Sequence, residues 1–224
     1  MPEFIRNPNI YLSGNQVICA ALPTAERETL IALYNSTGGE NWAENTGWLG
    51  KPGTECNWYG VSYDLQSNCV RTLTLPENNL IGPIPESIGN LQSLWELNLS
   101  GNQLSGPIPS KLGNLSVSDT LKLDSNQLTG PVPAELMNLT ALWDGNSDFR
   151  WNRLYTNNSD LRKFLNTKQI EGDWESSQLL NGGYLAAPEL WIKAVIETEE
   201  KGSINAIWQK GGEGETDGGH RVIW

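Results

Sequence analysis

The chain runs to 224 residues and carries 15 Lys and Arg against 26 Asp and Glu, a formal net charge of −11. That balance disfavours nucleic acid and anionic lipid, whose phosphates are held by clustered cations, and no apolar run approaches the ~18–20 residues of a membrane span. One His, three Cys and two Met leave little material for His-based catalysis or a transition-metal site, whereas ten Trp against three Phe suit binding surfaces and packed cores.

Residues 1–23 lack the charged start and apolar stretch of a secretory leader and read as an N-terminal extension, either trimmed of a leader or cut from a longer product. A helix is expected from Thr24, which suits the N-cap, with Glu26 and Glu28 favourable in its first turn. Leu30, Ile31 and Tyr34 form its apolar stripe, and Gly38-Gly39 ends it. Trp42, Trp48 and the run CNWYGV from Cys56 follow, their indoles expected in a core that closes an open apolar end. Three cysteines permit one bridge. Cys56–Cys69, which closes a short loop directly before residue 70, is the favoured pair; three reduced thiols are the alternative.

From Val70 the sequence repeats. VRTLTLPENNLIGPIPESIGNLQS, LWELNLSGNQLSGPIPSKLGNLSV and SDTLKLDSNQLTGPVPAELMNLTA align without gaps in a 24-residue register. The L-x-L step (Leu73/Leu75, Leu97/Leu99, Leu121/Leu123) has the period of a short strand with one buried face. One coil cannot bury its leucines alone, so coils must stack and share a continuous core. Asn78, Asn102 and Asn126 form a column whose amides can satisfy backbone groups at a fixed turn. Gly82, Gly106 and Gly130 allow that turn to be tight, and the Pro-rich steps that follow forbid helix on the outer side. A fourth, degenerate coil places Asn152 and Leu154 two residues late, with Ser147 and Phe149 at its strand-leucine positions.

These residues resemble the plant-type leucine-rich repeat, with its L-x-x-L-x-L-x-x-N-x-L-x-G-x-I-P pattern, over Val70 to Ala141. The resemblance implies an α/β solenoid, a right-handed superhelix with helical caps at both ends. The Trp-rich stretch is similar to the family's N-terminal cap, except that Tyr63 stands at the usual second cysteine. Cys69 could replace that cysteine, or Cys19 could stand for an earlier one. The boundaries that follow are 1–23 extension, 24–69 N-terminal cap, 70–158 repeats, 159–178 C-terminal cap and linker, and 179–224 a further segment.

Downstream, SDLRKFLNTKQ reads as a short helix with Ser159 as N-cap and Leu161, Phe164 and Leu165 inward; with EGDWESSQ it resembles a C-terminal cap of bacterial and algal members. APELWIKAVIE, GSINAIWQ, an acidic GGEGETDGG turn and HRVIW resemble the first half of a fibronectin type III sandwich, with Trp208 as its core tryptophan and roughly half of the ~100 residues such a sandwich needs.

No chemical motif stands out. Asp144-x-Asn146-x-Asp148 imitates the start of a calcium loop, but Phe149 occupies its glycine position and Tyr155 its bidentate Glu position. No catalytic residue, metal ligand or cofactor is expected. The side chains flanking the buried leucines are instead expected to face the concave side: Arg71, Thr74 and Glu77; Trp95, Glu96, Asn98 and Ser100; Asp119, Lys122 and Asp124; then Asp148, Arg150 and Trp151. Asn78, Asn102, Asn126 and Asn152 are assigned structural roles. Such a mixed surface suits a protein, peptide or glycan, with Trp95 as the leading anchor. The resemblance implies a non-catalytic extracellular or cell-surface recognition module. Two alternatives are an inhibitor of secreted cell-wall hydrolases, like the polygalacturonase inhibitors, and the ectodomain of a receptor-like kinase.

Overall fold

In each coil the two leucines of the L-x-L step lie on the inner side of a short strand, and the Asn that follows turns the chain onto a second, outer strand. The computed structural model describes residues 10–13, 16–64, 67–117 and 119–179. The fibronectin-like reading falls on residues 179–224, of which 180–224 lie outside the described residues, as do 1–9 of the extension.

A hairpin of β1 (Ile10–Ser13) and β2 (Gln16–Cys19) precedes helix α1 (Thr24–Ser36). The inner sheet has the order β3 (Val61–Tyr63), β4 (Val70–Thr74), β6 (Glu96–Asn98) and β8 (Thr120–Lys122), with β3 antiparallel and the rest parallel. The outer sheet runs β5 (Ile81–Pro83), β7 (Gln103–Gly106), β9 (Gln127–Pro131) and β10 (Arg153–Tyr155), all parallel. Leu73, Leu97 and Leu121 pair in register and are fully buried. Between outer and next inner strand, 3-10 turns at Glu86–Asn90, Ser110–Asn114 and Ala134–Asn138 each follow a proline in extended conformation, as the missing N–H and fixed φ of Pro dictate at such a start. Helix α2 (Ser159–Lys168) follows β10 and buries Leu161 and Leu165.

The asparagines form the expected ladder. Asn102 Oδ1 accepts the N–H groups of Asn78 and Leu80, both at 3.0 Å, while its amide donates to the carbonyls of Leu75, Leu99 and Ser100. Asn126 and Asn152 repeat the arrangement on Leu104 and Leu128. Asn78 reaches back into the loop before β3, accepting from Glu44 N–H at 2.6 Å. The ladder has one more rung than the sequence reading contained: Gln178 Oε1 accepts from Leu154 N–H at 3.0 Å and its amide donates to Phe149 and Trp174 carbonyls. The turn glycines Gly82, Gly106 and Gly130 all have positive φ (126°, 78° and 92°). A Cβ on Gly82 would overlap the Ser36 carbonyl, where the end of α1 meets the first coil.

Three expectations are corrected. The bridge is Cys19–Cys56 and not Cys56–Cys69. Cys19 N–H bonds the Gly53 carbonyl at 2.8 Å, which carries the end of β2 to the loop holding Cys56 and sets the two Cα atoms 6.2 Å apart. Cys69 sits across β3 in the turn to β4, its thiol donating to the Ser67 carbonyl, and is free. The N-cap of α1 is Pro23, whose carbonyl takes the N–H groups of Glu26 and Arg27; Thr24 is already helical. The N-cap of α2 is Asn158, whose Oδ1 accepts from Asp160 and Leu161, and Ser159 is its first helical residue.

Packed on the first coil, α1 buries Leu30 and Leu33 completely, with Ile31 and Tyr34 half-buried. Trp42, Trp48 and Trp58 are buried beside Tyr34, with ring centroids 4.8–5.9 Å apart. Arg27 pairs with the fully buried Glu55 at 2.6 Å and bonds the Gly50 carbonyl. This ties helix, loop and indole cluster into one plug over the first leucines.

Candidate functional site

The inner sheet presents its outward side chains as columns, one residue per coil, because parallel strands stack in register ~4.8 Å apart. Arg71 and Trp95 sit on neighbouring strands at the start of this face. The Arg71 guanidinium lies over the indole at 4.8 Å, and Trp95 is still 46% exposed. A stacked cation of this kind holds the ring flat while leaving its other surface to a ligand. Thr74 Oγ1 approaches Glu96 Oε1 at 3.5 Å. Asn98 Oδ1 accepts from both the N–H and the hydroxyl of Ser100, at 3.1 and 2.7 Å, so those two side chains brace each other. Glu77 is exposed on the turn, with φ at +50°.

Further along, Asp119 accepts the Asn146 amide at 2.8 Å and is thereby tied to the fourth coil. Lys122 pairs through the backbone with Asp148. Burial pushes the Asp124 carboxyl above its ordinary value, and the neighbouring Asp148 charge adds to that; Ser125 and Lys122 act against it. Lys122 and Asp124 are both half-buried on this face.

Asp148, expected among the ligand-facing residues, is buried. It is only 5% exposed. Its carboxylate accepts from Arg150 Nε, from the second Arg150 terminal nitrogen at 2.7 Å, from the Arg150 backbone and from the Gln169 amide. Gln169 belongs to a fifth coil that bridges onto Ser147 and closes over the aspartate. Arg150 spends its remaining nitrogen on Glu171 at 2.7 Å. Arg150 thus stays on the surface, but as the centre of an ion-paired clamp.

The calcium-like triplet is dispersed among unrelated partners: Asp144 with Lys168 at 2.6 Å, Asn146 with Asp119, and Asp148 with Arg150. Among the described residues no three His, Cys, Asp or Glu side chains gather in a metal-holding group, and no helix is long and apolar enough to cross a membrane. Glu171 and Gln169 escaped the sequence reading because the regular period ends before them. Trp143, ahead of the degenerate coil, and Trp151, within it, are both exposed.

The structure therefore brings Arg71 to Trp95, Thr74 to Glu96, Asn98 to Ser100 and Arg150 to Glu171 on one open surface. Residues 69–91 and 93–115 match the family model described as Leucine Rich Repeat. A search of curated protein sequences finds no match. Among solved structures, the BIR3–SERK2 complex from Arabidopsis thaliana shares 31% identity over 56% of this chain and 68% of that chain, with a TM-score of 0.47. The PEPR1–AtPEP1 structure shares 26% identity over 59% of this chain, at TM-score 0.46, and this chain spans 22% of its length. The LRR ectodomain of the receptor kinase SOBIR1 from Arabidopsis thaliana is 23% identical over 60% of this chain and 70% of that chain, at TM-score 0.44.

Proposed function

We propose that this chain, whose residues 70–158 are leucine-rich repeat coils, is a non-catalytic extracellular recognition module that binds an extended peptide or protein loop across its inner sheet. The observation that carries the reading is the Arg71–Trp95 stack on an open, in-register sheet. It is a rigid aromatic platform beside carboxylates, amides and a lysine, with its ring surface in solvent. Hot spots at protein interfaces favour Trp and Arg. Mixed charge and amides repeated from coil to coil offer polar partners to an extended chain laid across the strands. The Cys19–Cys56 bridge supports an oxidising compartment. With few regular coils the face is short, so tight binding would draw on linked modules.

Selection of displayed random peptides on the immobilised protein tests the reading. Trp95→Ala should weaken the selected peptides by roughly 30-fold, the equivalent of about 2 kcal/mol, and Arg71→Ala less. Peptides that bind the Trp95→Ala and Arg71→Ala variants as well as the parent would place the contact elsewhere and end this assignment.

A further inference from the structure

Beside the last inner strand, Arg150, Trp151, Glu171, Asp173, Ser176 and Ser177 wall a concavity of about 460 Å3, within the ~300–1,000 Å3 range of small-ligand sites. Trp151 supplies its aromatic side and is 49% exposed. The Trp151 carbonyl accepts the Asn126 N–H at 3.2 Å, so the asparagine ladder and not burial fixes where this residue stands. The residue ahead of each ladder asparagine is left-handed: Glu77, Gly101, Ser125 and then Trp151, at a φ of +56°. A bulky aromatic is rare in that region, and this exposed one adds no core packing to offset the strain.

The polar groups around this ring are of both kinds. Glu171 Oε2 accepts from Arg150 at 2.7 Å, and the rest of its carboxylate stays in solvent, the side chain being 77% exposed. Ser177 donates its hydroxyl proton to the Trp174 carbonyl at 2.9 Å and keeps its oxygen lone pairs. Asp173 Oδ1 accepts the N–H groups of Glu175 and Ser176, at 3.0 and 3.1 Å, which fixes its carboxylate in the wall. The Trp151 indole N–H and the Ser176 hydroxyl, both on exposed residues, are donors on the same wall. Arg150 bonds Asp148 and Glu171 from its two terminal nitrogens, each of which carries a second N–H.

This mixture decides the ligand class. Glu171 already has its cation and Asp173 is engaged by backbone N–H groups, so a further cation finds no surplus charge to answer. An anion would lie against both carboxylates, and an apolar group would strip their water without return. A hydroxyl both donates and accepts, so it bonds a carboxylate lone pair or an N–H without altering the charge balance. A pyranose with equatorial hydroxyls carries them around its edge. Its axial C–H groups form an apolar patch that covers an indole face.

We infer that this concavity is a binding site for a neutral pyranose of the glucose configuration, stacked on Trp151 and bonded at its rim by Glu171, Asp173 and Ser176. The inference goes beyond the peptide-binding reading: it uses neither Arg71 nor Trp95 and gives the module a second, saccharide ligand.

The test titrates cellotriose into the full chain and follows the indole N–H resonances, with that of Trp151 identified by its absence in Trp151→Ala. The Trp151 signal should shift saturably, with the millimolar dissociation constant of an open site, and the shift should survive added salt. Ser176→Ala removes one hydrogen bond and should weaken binding by about threefold to tenfold. In Trp151→Ala the backbone amides of Glu171, Asp173 and Ser177 should no longer respond. Sorbitol, which carries the hydroxyls without the ring face, should leave the signal unmoved, as should N-acetyl-arginine amide. Trp95→Ala should retain the response. A silent Trp151, an equal response to sorbitol, or a response to the arginine amide in place of cellotriose would overturn the inference. If Trp95→Ala abolishes binding of selected peptides while Trp151 ignores cellotriose, the saccharide site fails and the recognition face stands. The converse pattern keeps the saccharide site and removes the face.

Discussion

Glu26 and Val70, 44 residues apart, are joined by one hydrogen bond: the Val70 N–H donates to Glu26 Oε2 at 2.7 Å. The carboxylate of α1 thereby meets the first inner strand, where no preceding coil exists to receive that N–H. Glu26→Ala should cost about 1–3 kcal/mol, because it leaves a buried donor without a partner. Glu26→Gln keeps an acceptor and should cost less than about 1 kcal/mol. Burial raises the Glu26 carboxyl above its ordinary value, with the Val70 N–H and the Cys69 thiol pulling it down in part. The folded chain then holds this proton more tightly than the unfolded one, so stability falls as pH rises from about 4.5 through the raised value. Denaturation midpoints across this window should fall less with rising pH in Glu26→Gln than in the parent.

Asn102 ties two coils together through both its oxygen and its amide. Asn102→Ala should lower stability by about 1–3 kcal/mol, read from the midpoint of chemical unfolding. Gln178→Ala breaks the last rung alone. Its signature should be faster hydrogen exchange at Leu154 N–H, with the amides of Leu80 and Leu104 unchanged.

Asp148 is pushed up by burial, but Arg150 and Gln169 outweigh this and hold its carboxyl below the usual range. The unfolded chain takes up this proton first as pH falls. The stabilisation is therefore complete above about pH 3.8 and is lost as pH drops through the lower folded value. Arg150→Ala should cost about 3 kcal/mol at neutral pH by leaving a buried carboxylate short of its cation, and should raise the midpoint of acid unfolding. An acid midpoint equal to the parent's would refute the clamp.

The Cys19–Cys56 bridge spans 37 residues. The double substitution to Ser should remove about 3–4 kcal/mol on the chain-entropy account, and the same variant should be insensitive to reductant. Cys69→Ser should stay within about 0.5 kcal/mol of the parent.

What could be read from the residues was whatever repeats. Leu73, Leu97 and Leu121, and Asn78, Asn102 and Asn126, announce their columns because each coil imposes the same burial on the same step. Asn152 remained legible despite arriving two residues late. Gln178 did not, since a longer amide does the same work at a position the period no longer marks. Glu26 looked like a helix-dipole residue because nothing local reveals that Val70 will lie against it. Cys56 is paired with Cys69 in sequence for a similar reason: the neighbour it has in space, Cys19, is set by the hairpin ahead of α1. Asp148 shares the column of Lys122 yet is hidden, because coverage by Gln169 depends on chain that follows the regular coils.

Each asparagine in the column answers only to its own coil and the one before it, so neither end of the array encodes how long the middle must be. Duplication of residues 94–117, one whole 24-residue period, would graft an extra slat into the array while Glu26 and Gln178 kept their posts. Growth by such copying could widen the docking platform step by step, with the two end pieces inherited intact.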